Sequence, residues 1–132
     1  MNFKKNRGQS AIEFVILVIA VLFLFVGMLY FVQNKIADTQ REALSALVKE
    51  VALTVQDEIV LAHGSANGYS RQFSLPSNLN GLEYQANILE NSVYVRTLDG
   101  KHAVALPISN VIGDIIIGNN FIYNVNGSVF LN

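Results

Sequence analysis

Lys4-Lys5-Asn6-Arg7-Gly8-Gln9-Ser10-Ala11-Ile12-Glu13-Phe14 leads into an apolar run, and the reading of this stretch governs the reading of the rest. Three cations precede a glycine, small polar residues follow, and a single carboxylate stands at Glu13. From Phe14 to Val32, 19 residues, nothing charged or strongly polar interrupts the chain. About 20 apolar residues at ~1.5 Å rise each cover the ~30 Å hydrocarbon core of a bilayer. The segment is therefore expected to span a membrane, with Lys4, Lys5 and Arg7 held on the cytoplasmic side.

Two details separate this stretch from an ordinary secretory signal. A secretory signal places small residues after its apolar region, where it is cut. Here the run continues into Gln33-Asn34-Lys35-Ile36, and the small-residue junction around Gly8 comes before the apolar segment. The second detail is Glu13, because a carboxylate at the lip of an apolar span is costly and points to function.

In these residues the stretch resembles the class III signal peptide of type IV pilin-like proteins, most closely the archaeal pilin type. Gln9 and Glu13 fall at the family's spacing, and Ser10 directly follows Gln9 where the family places its serine one residue later. TadE-like bacterial minor pilins share the pattern but usually carry a proline in the apolar run, which this chain lacks. The resemblance implies cleavage between Gly8 and Gln9 by a prepilin peptidase, a membrane aspartyl enzyme, and an assembly role for Glu13 and Phe14. It also implies an assembly ATPase and a membrane platform protein as partners, and self-association through the N-terminal helices. The plainer reading is an uncleaved anchor with Glu13 among the headgroups.

Composition is compatible with a membrane-anchored exterior protein. The 132 residues allow one compact domain beside the anchor. Charged residues make up only 14%, and the net charge is −1. Loss of residues 1–8 would leave six cations against ten acids, a net −4, which gives no reason to expect nucleic-acid binding. Without cysteine the chain has no disulfide, thiolate metal site or cysteine nucleophile.

Between Gln33 and Ala62 neither proline nor glycine occurs. Ile36, Gln40, Leu44, Leu47, Val48, Val51, Val55, Ile59 and Ala62 recur at spacings of three and four, the stripe of an amphipathic helix. Ser10 with Glu13 three residues on reads as a capping box, and Gly64 as the residue that ends the helix after His63. One helix of roughly 80 Å at ~1.5 Å per residue is expected over residues 10–63, with Gly27 as its weak point.

After residues 64–68 the period changes to that of strands. Residues 69–75, 84–89, 93–98, 101–106, 121–125 and 128–131 are expected strands, with turns at Asn80-Gly81 and Glu90-Asn91. Asp99-Gly100 is expected to form a type I′ hairpin that sets Val95 opposite Val104 and Val93 opposite Leu106. Residues 110–117 read as a strand or an irregular stretch, and Asn126-Gly127 as a second hairpin turn. The expected fold is α+β: a long N-terminal helix, transmembrane in one half and amphipathic in the other, packed against a C-terminal antiparallel β-sheet in the pilin manner. Its parts are a leader (1–8), a membrane or filament-core helix (9–32), an amphipathic continuation (33–63) and a β domain (68–132).

Catalytic vocabulary is sparse. His63 and His102 are the only histidines, and neither has a second histidine or a carboxylate at ligand spacing. Asp99 is explained by its turn, and Asp114, with no evident partner, reads as a loop residue or a minor ion ligand, solvation being the favoured reading. No phosphate loop, nucleophile elbow or zinc motif occurs, so no enzyme, metal or cofactor is expected. Asn126-Gly127-Ser128 is a glycosylation sequon, although a hairpin turn already accounts for it.

The expectation is a structural subunit of a type IV pilus-like filament for adhesion or attachment, first a single-pass membrane protein with a cytoplasmic N-terminus, then extracellular. The alternatives are a minor pilin or pseudopilin, an archaellin, and a membrane-anchored surface binding module.

Overall fold

The computed structural model describes the backbone from Lys5 to Asn132 and the side chains from Gly8 onward. Lys4 and the other residues of the expected leader before Lys5 lie outside the described residues, as do the side chains of Lys5 and Arg7. One helix, α1 (Lys5–His63), is followed by β1 (Ser70–Ser74), β2 (Tyr84–Leu89), β3 (Ser92–Thr97), β4 (Ala103–Pro107), β5 (Asn119–Val125) and β6 (Ser128–Leu131). The chain divides into two units, the first ending at Gln40 and the second spanning Arg41–Asn132.

In the first unit α1 is already helical at Lys5, which corrects the expected start at Ser10. Lysine and arginine are good helix formers and nothing before Ser10 breaks the chain, so the helix extends through Gly8. Ser10 therefore lies inside the helix and the capping box does not form. Glu13 Oε1 instead accepts a hydrogen bond from Gln9 Nε2 at 3.3 Å, one helical turn earlier. Gly27 leaves the helix unbroken. The helix is long and apolar enough to cross a membrane: its most apolar stretch has a mean hydropathy of 3.1, and none of that stretch is buried.

The second unit holds the core. Val48, Val51, Ala52, Val55, Ile59 and Ala62 of α1 are buried, while Leu44 and Leu47 are half-buried. The buried stripe is shorter than the periodicity suggested, because Ile36 and Gln40 belong to the first unit and are exposed. Against this stripe pack Phe73, Leu75, Tyr84, Val93, Val95, Ile122, Val129 and Leu131. Each such side chain contributes about 1.5–3 kcal/mol relative to exposure. Burial also pushes the Tyr84 phenol up from its ordinary pKa, and its hydroxyl donates to Pro76 O at 2.5 Å.

The antiparallel β part is two sheets rather than one. β2-β3-β4 form a meander, and β1-β5-β6 form a second sheet in which β1 pairs with the distant β5. The β3–β4 register is the expected one, Val95 opposite Val104 and Val93 opposite Leu106. The turn is not type I′, which needs left-handed backbone at both central residues. Only Gly100 is left-handed (φ 71°), and Gly100 N donates to Thr97 O at 3.0 Å. The register survives because Thr97 and His102 still face each other across residues 98–101, with Thr97 N donating to His102 O at 2.9 Å.

Asn126-Gly127 and Asn80-Gly81 do take the type I′ pattern, with φ of 52° and 85° in the first pair and 50° and 81° in the second. The Asn80-Gly81 turn closes a single rung, Leu79 opposite Leu82. Residues 110–117 are irregular, the second of the two expected forms. Gly113 (φ 110°) passes so close to Leu131 O that a Cβ there would stand 2.0 Å away, and its neighbour Ile112 bridges to Phe130 in parallel fashion.

Candidate functional site

The first unit presents the candidate site as a helix surface. Gly8 and Gln9, the expected cleavage pair, are exposed on α1, and Glu13 and Phe14 follow on the same helix. Phe14 is 67% exposed, and every large apolar side chain from Ile12 to Val32 is likewise open, reaching 80% at Phe23. Soluble monomers rarely leave apolar patches beyond a few hundred Å², so such a surface needs lipid or another protein around it. Glu13 stands near one end of this surface with Gln9 Nε2 as its hydrogen-bond donor. That neutral donor softens the cost of the carboxylate but does not balance its charge.

In the second unit the sequence-singled residues hold the fold. His63 Nε2 donates to Asn110 O at 2.9 Å, tying the end of α1 to the irregular stretch. His102 Nδ1 meets Ser45 Oγ at 2.8 Å, between β4's start and α1. Asp99 stays with its turn: Oδ1 accepts from Thr97 Oγ1 and, at 3.0 Å, from Lys101 N. The Thr97 hydroxyl, and next the Lys101 N–H, hold its carboxyl below the usual carboxylate range. Asp114 is not simply solvated. Its Oδ1 accepts from Ile88 N at 2.9 Å and from Ile115 N at 2.8 Å, closing a backbone donor on the free edge of β2. Asn126 is exposed at its turn, where its Oδ1 accepts from Asn67 Nδ2 at 3.1 Å.

Asn124 was not singled out by sequence, Asn120 counted only among residues that would permit surface ligand binding, and both are buried. Asn124 Nδ2 donates to Ala62 O at 2.9 Å and Asn120 Nδ2 to Ile116 O at 2.7 Å. Their one signal was position: each occupies an inward place in the alternation of β5, where a polar residue must find partners.

Among the described residues no group of three or more His, Cys, Asp or Glu side chains comes together as a metal site. A cavity of about 520 Å³ opens between α1, at Leu47, Glu50 and Thr54, and the loop carrying Leu79 and Asn80. A smaller one of about 150 Å³ lies beside His63. Comparison with known protein families, curated proteins and solved structures gives no match.

Proposed function

We propose that this chain is a structural subunit of a type IV pilus-like filament, anchored in the membrane first and assembled through α1 after removal of a leader ending at Gly8. The observation that carries this reading is an apolar helix surface left wholly open from Ile12 to Val32, headed by Gln9 and Glu13. A folded unit that builds its own core from Arg41 onward leaves this surface free for lipid or for other copies. The bond to be cut, Gly8–Gln9, lies in the first described part of α1, on exposed residues.

In a filament the apolar residues exchange lipid for neighbouring helices. Glu13 supplies specificity: a lone buried carboxylate is expensive, so it is satisfied by a cation. After cleavage the nearest cation is the new amino group of Gln9, from the same or an adjacent copy, and that pairing sets axial register. The assembly ATPase, platform protein and prepilin peptidase are partners of this reading.

Mass spectrometry of the mature N-terminus in the membrane or filament fraction tests it. A chain beginning at Gln9 is the expected result. A chain intact through its basic segment, or one beginning beyond Val32, overturns it. In that case the cavity beside Glu50 makes a membrane-anchored binding module the second reading.

A further inference from the structure

Asn-Gly occurs three times, at Asn67-Gly68, Asn80-Gly81 and Asn126-Gly127. We propose that Asn80 is a site of spontaneous deamidation, and that the fold shields Asn67 and Asn126 from the same reaction.

In this reaction the glycine backbone nitrogen gives up its proton and attacks Cγ of the preceding asparagine. The new N–Cγ bond closes a succinimide, the Cγ–Nδ2 bond breaks, and ammonia leaves with the proton. Water then opens the ring to aspartate or isoaspartate. Glycine favours the attack because no side chain hinders its nitrogen. Two contacts oppose it: a hydrogen bond that occupies the glycine N–H, and partners that keep the asparagine amide from swinging onto that nitrogen.

Asn67 and Asn126 have both protections. Gly127 N donates to Asn124 Oδ1 at 3.0 Å, and Gly68 N donates to Asn124 O at 3.0 Å. Asn124 is buried, so these acceptors do not move away. The two amides also hold each other: Asn67 Nδ2 donates to Asn126 Oδ1 at 3.1 Å, and Asn67 Oδ1 accepts from Asn126 N at 2.9 Å.

Asn80 has one weak protection. Gly81 N donates to Asn78 Oδ1 at 3.0 Å, but Asn78 is an exposed side chain that water competes for. The Asn80 side chain is exposed and makes no hydrogen bond among the described residues. Backbone conformation does not separate it from Asn126, since their φ values are 50° and 52°. The difference lies in the side-chain partners. The product would place a new carboxylate at the mouth of the cavity that Glu50 also lines.

The test is to hold the full chain in detergent micelles at mildly alkaline pH and follow each Asn-Gly peptide by mass spectrometry. Asn80 is expected to convert several-fold faster than Asn67 or Asn126. Asn78→Ala should speed Asn80 alone by several-fold, and Asn78→Asp, which keeps the acceptor, should restore the slow rate. In denaturing urea the three rates should converge. Equal rates in the folded chain, earlier conversion of Asn67 or Asn126, no effect of Asn78→Ala, or the same ranking in urea would each overturn the proposal. None of these readouts depends on whether the chain is a filament subunit.

Discussion

Asn124 of β5 donates its side-chain amide to the carbonyl of Ala62 at 2.9 Å, so a strand residue caps the last turn of a helix 62 positions away in sequence. A helix leaves its final carbonyls without intrahelical partners, and a left-handed glycine is the common remedy. Gly64 looked suited to that task but is not among the left-handed residues. Instead Gly64 N reaches Val60 O, Ser65 Oγ takes Leu61 O, and Asn124 takes Ala62 O.

Replacing Asn124 with alanine would leave Ala62 O with only the longer contact from Ser65 N at 3.3 Å and take the side-chain acceptor from Gly127 N, which is exposed at its turn. A hydrogen bond contributes about 0.5–1.5 kcal/mol net, and a buried carbonyl left short costs up to ~3 kcal/mol. Asn124→Ala is therefore expected to destabilise the second unit by roughly 1–3 kcal/mol, and Asn124→Asp to destabilise it too, because a carboxylate cannot donate to Ala62 O. Urea unfolding of the full chain in detergent checks this through a lower midpoint at unchanged slope.

Glu90 sits in left-handed backbone (φ 50°) at the first loop position between β2 and β3, where a glutamate gains nothing from the conformation. The left-handed region costs a non-glycine residue roughly 1–2 kcal/mol. Glu90→Gly is expected to stabilise the chain by about 0.5–1 kcal/mol after the added unfolded-state entropy of glycine. A rise in the unfolding midpoint is the readout. At Gly113 the opposite holds: Gly113→Ala would bring its Cβ against Leu131 O and should cost about 3 kcal/mol or more.

Local chemistry explains which parts of this fold could be read in advance. The helix from residue 33 onward, the β3–β4 register and the Asn126-Gly127 hairpin follow from periods of 3.6 and 2 and from turn residues. The start of α1 was misjudged because Ser10 and Glu13 satisfy a capping pattern, while the preceding Lys5, Asn6 and Arg7 carry nothing that forbids a helix. The split into two sheets depends on β1 finding β5 across 49 residues, a pairing that no local pattern encodes. Asp114 was read as solvated and Asn124 was overlooked for the same reason, since their partners include distant backbone groups. Glu13 stands out in the sequence because the feature is local, one carboxylate against an apolar run.

The carboxyl of Asp99 makes the β3–β4 turn sensitive to acid. Its pKa is lowered in the folded chain by the Thr97 hydroxyl first and the Lys101 N–H second. A depressed carboxylate contributes stability that is present above its unfolded pKa and is lost as pH falls through the folded value. The loss therefore falls below the ordinary carboxylate range, not near neutrality. Amide exchange at Lys101 should rise in that acid window, and Asp99→Asn should flatten the dependence. An unchanged Lys101 amide across the window would contradict the assignment.

Glu13 is the residue on which the filament reading turns. It sits near one end of the apolar helix surface, with Gln9 Nε2 at 3.3 Å. Moved into a helix bundle without a cation it would be a lone buried charge, which costs several kcal/mol even after relaxation. Where the partner is the Gln9 amino group of an adjacent copy, the cost is offset only when the two copies meet at one axial offset. Glu13→Ala removes both the penalty and the registration, and Glu13→Gln keeps the size while removing the charge. Both variants are expected to be cut after Gly8, because the scissile bond lies before them, yet to yield few or no filaments. Mature-size protein accumulating in the membrane fraction, with little in the sheared surface fraction, is the expected pattern. Normal filament yield from Glu13→Gln would remove charge pairing from the mechanism, and normal yield from both variants would remove Glu13 from assembly altogether.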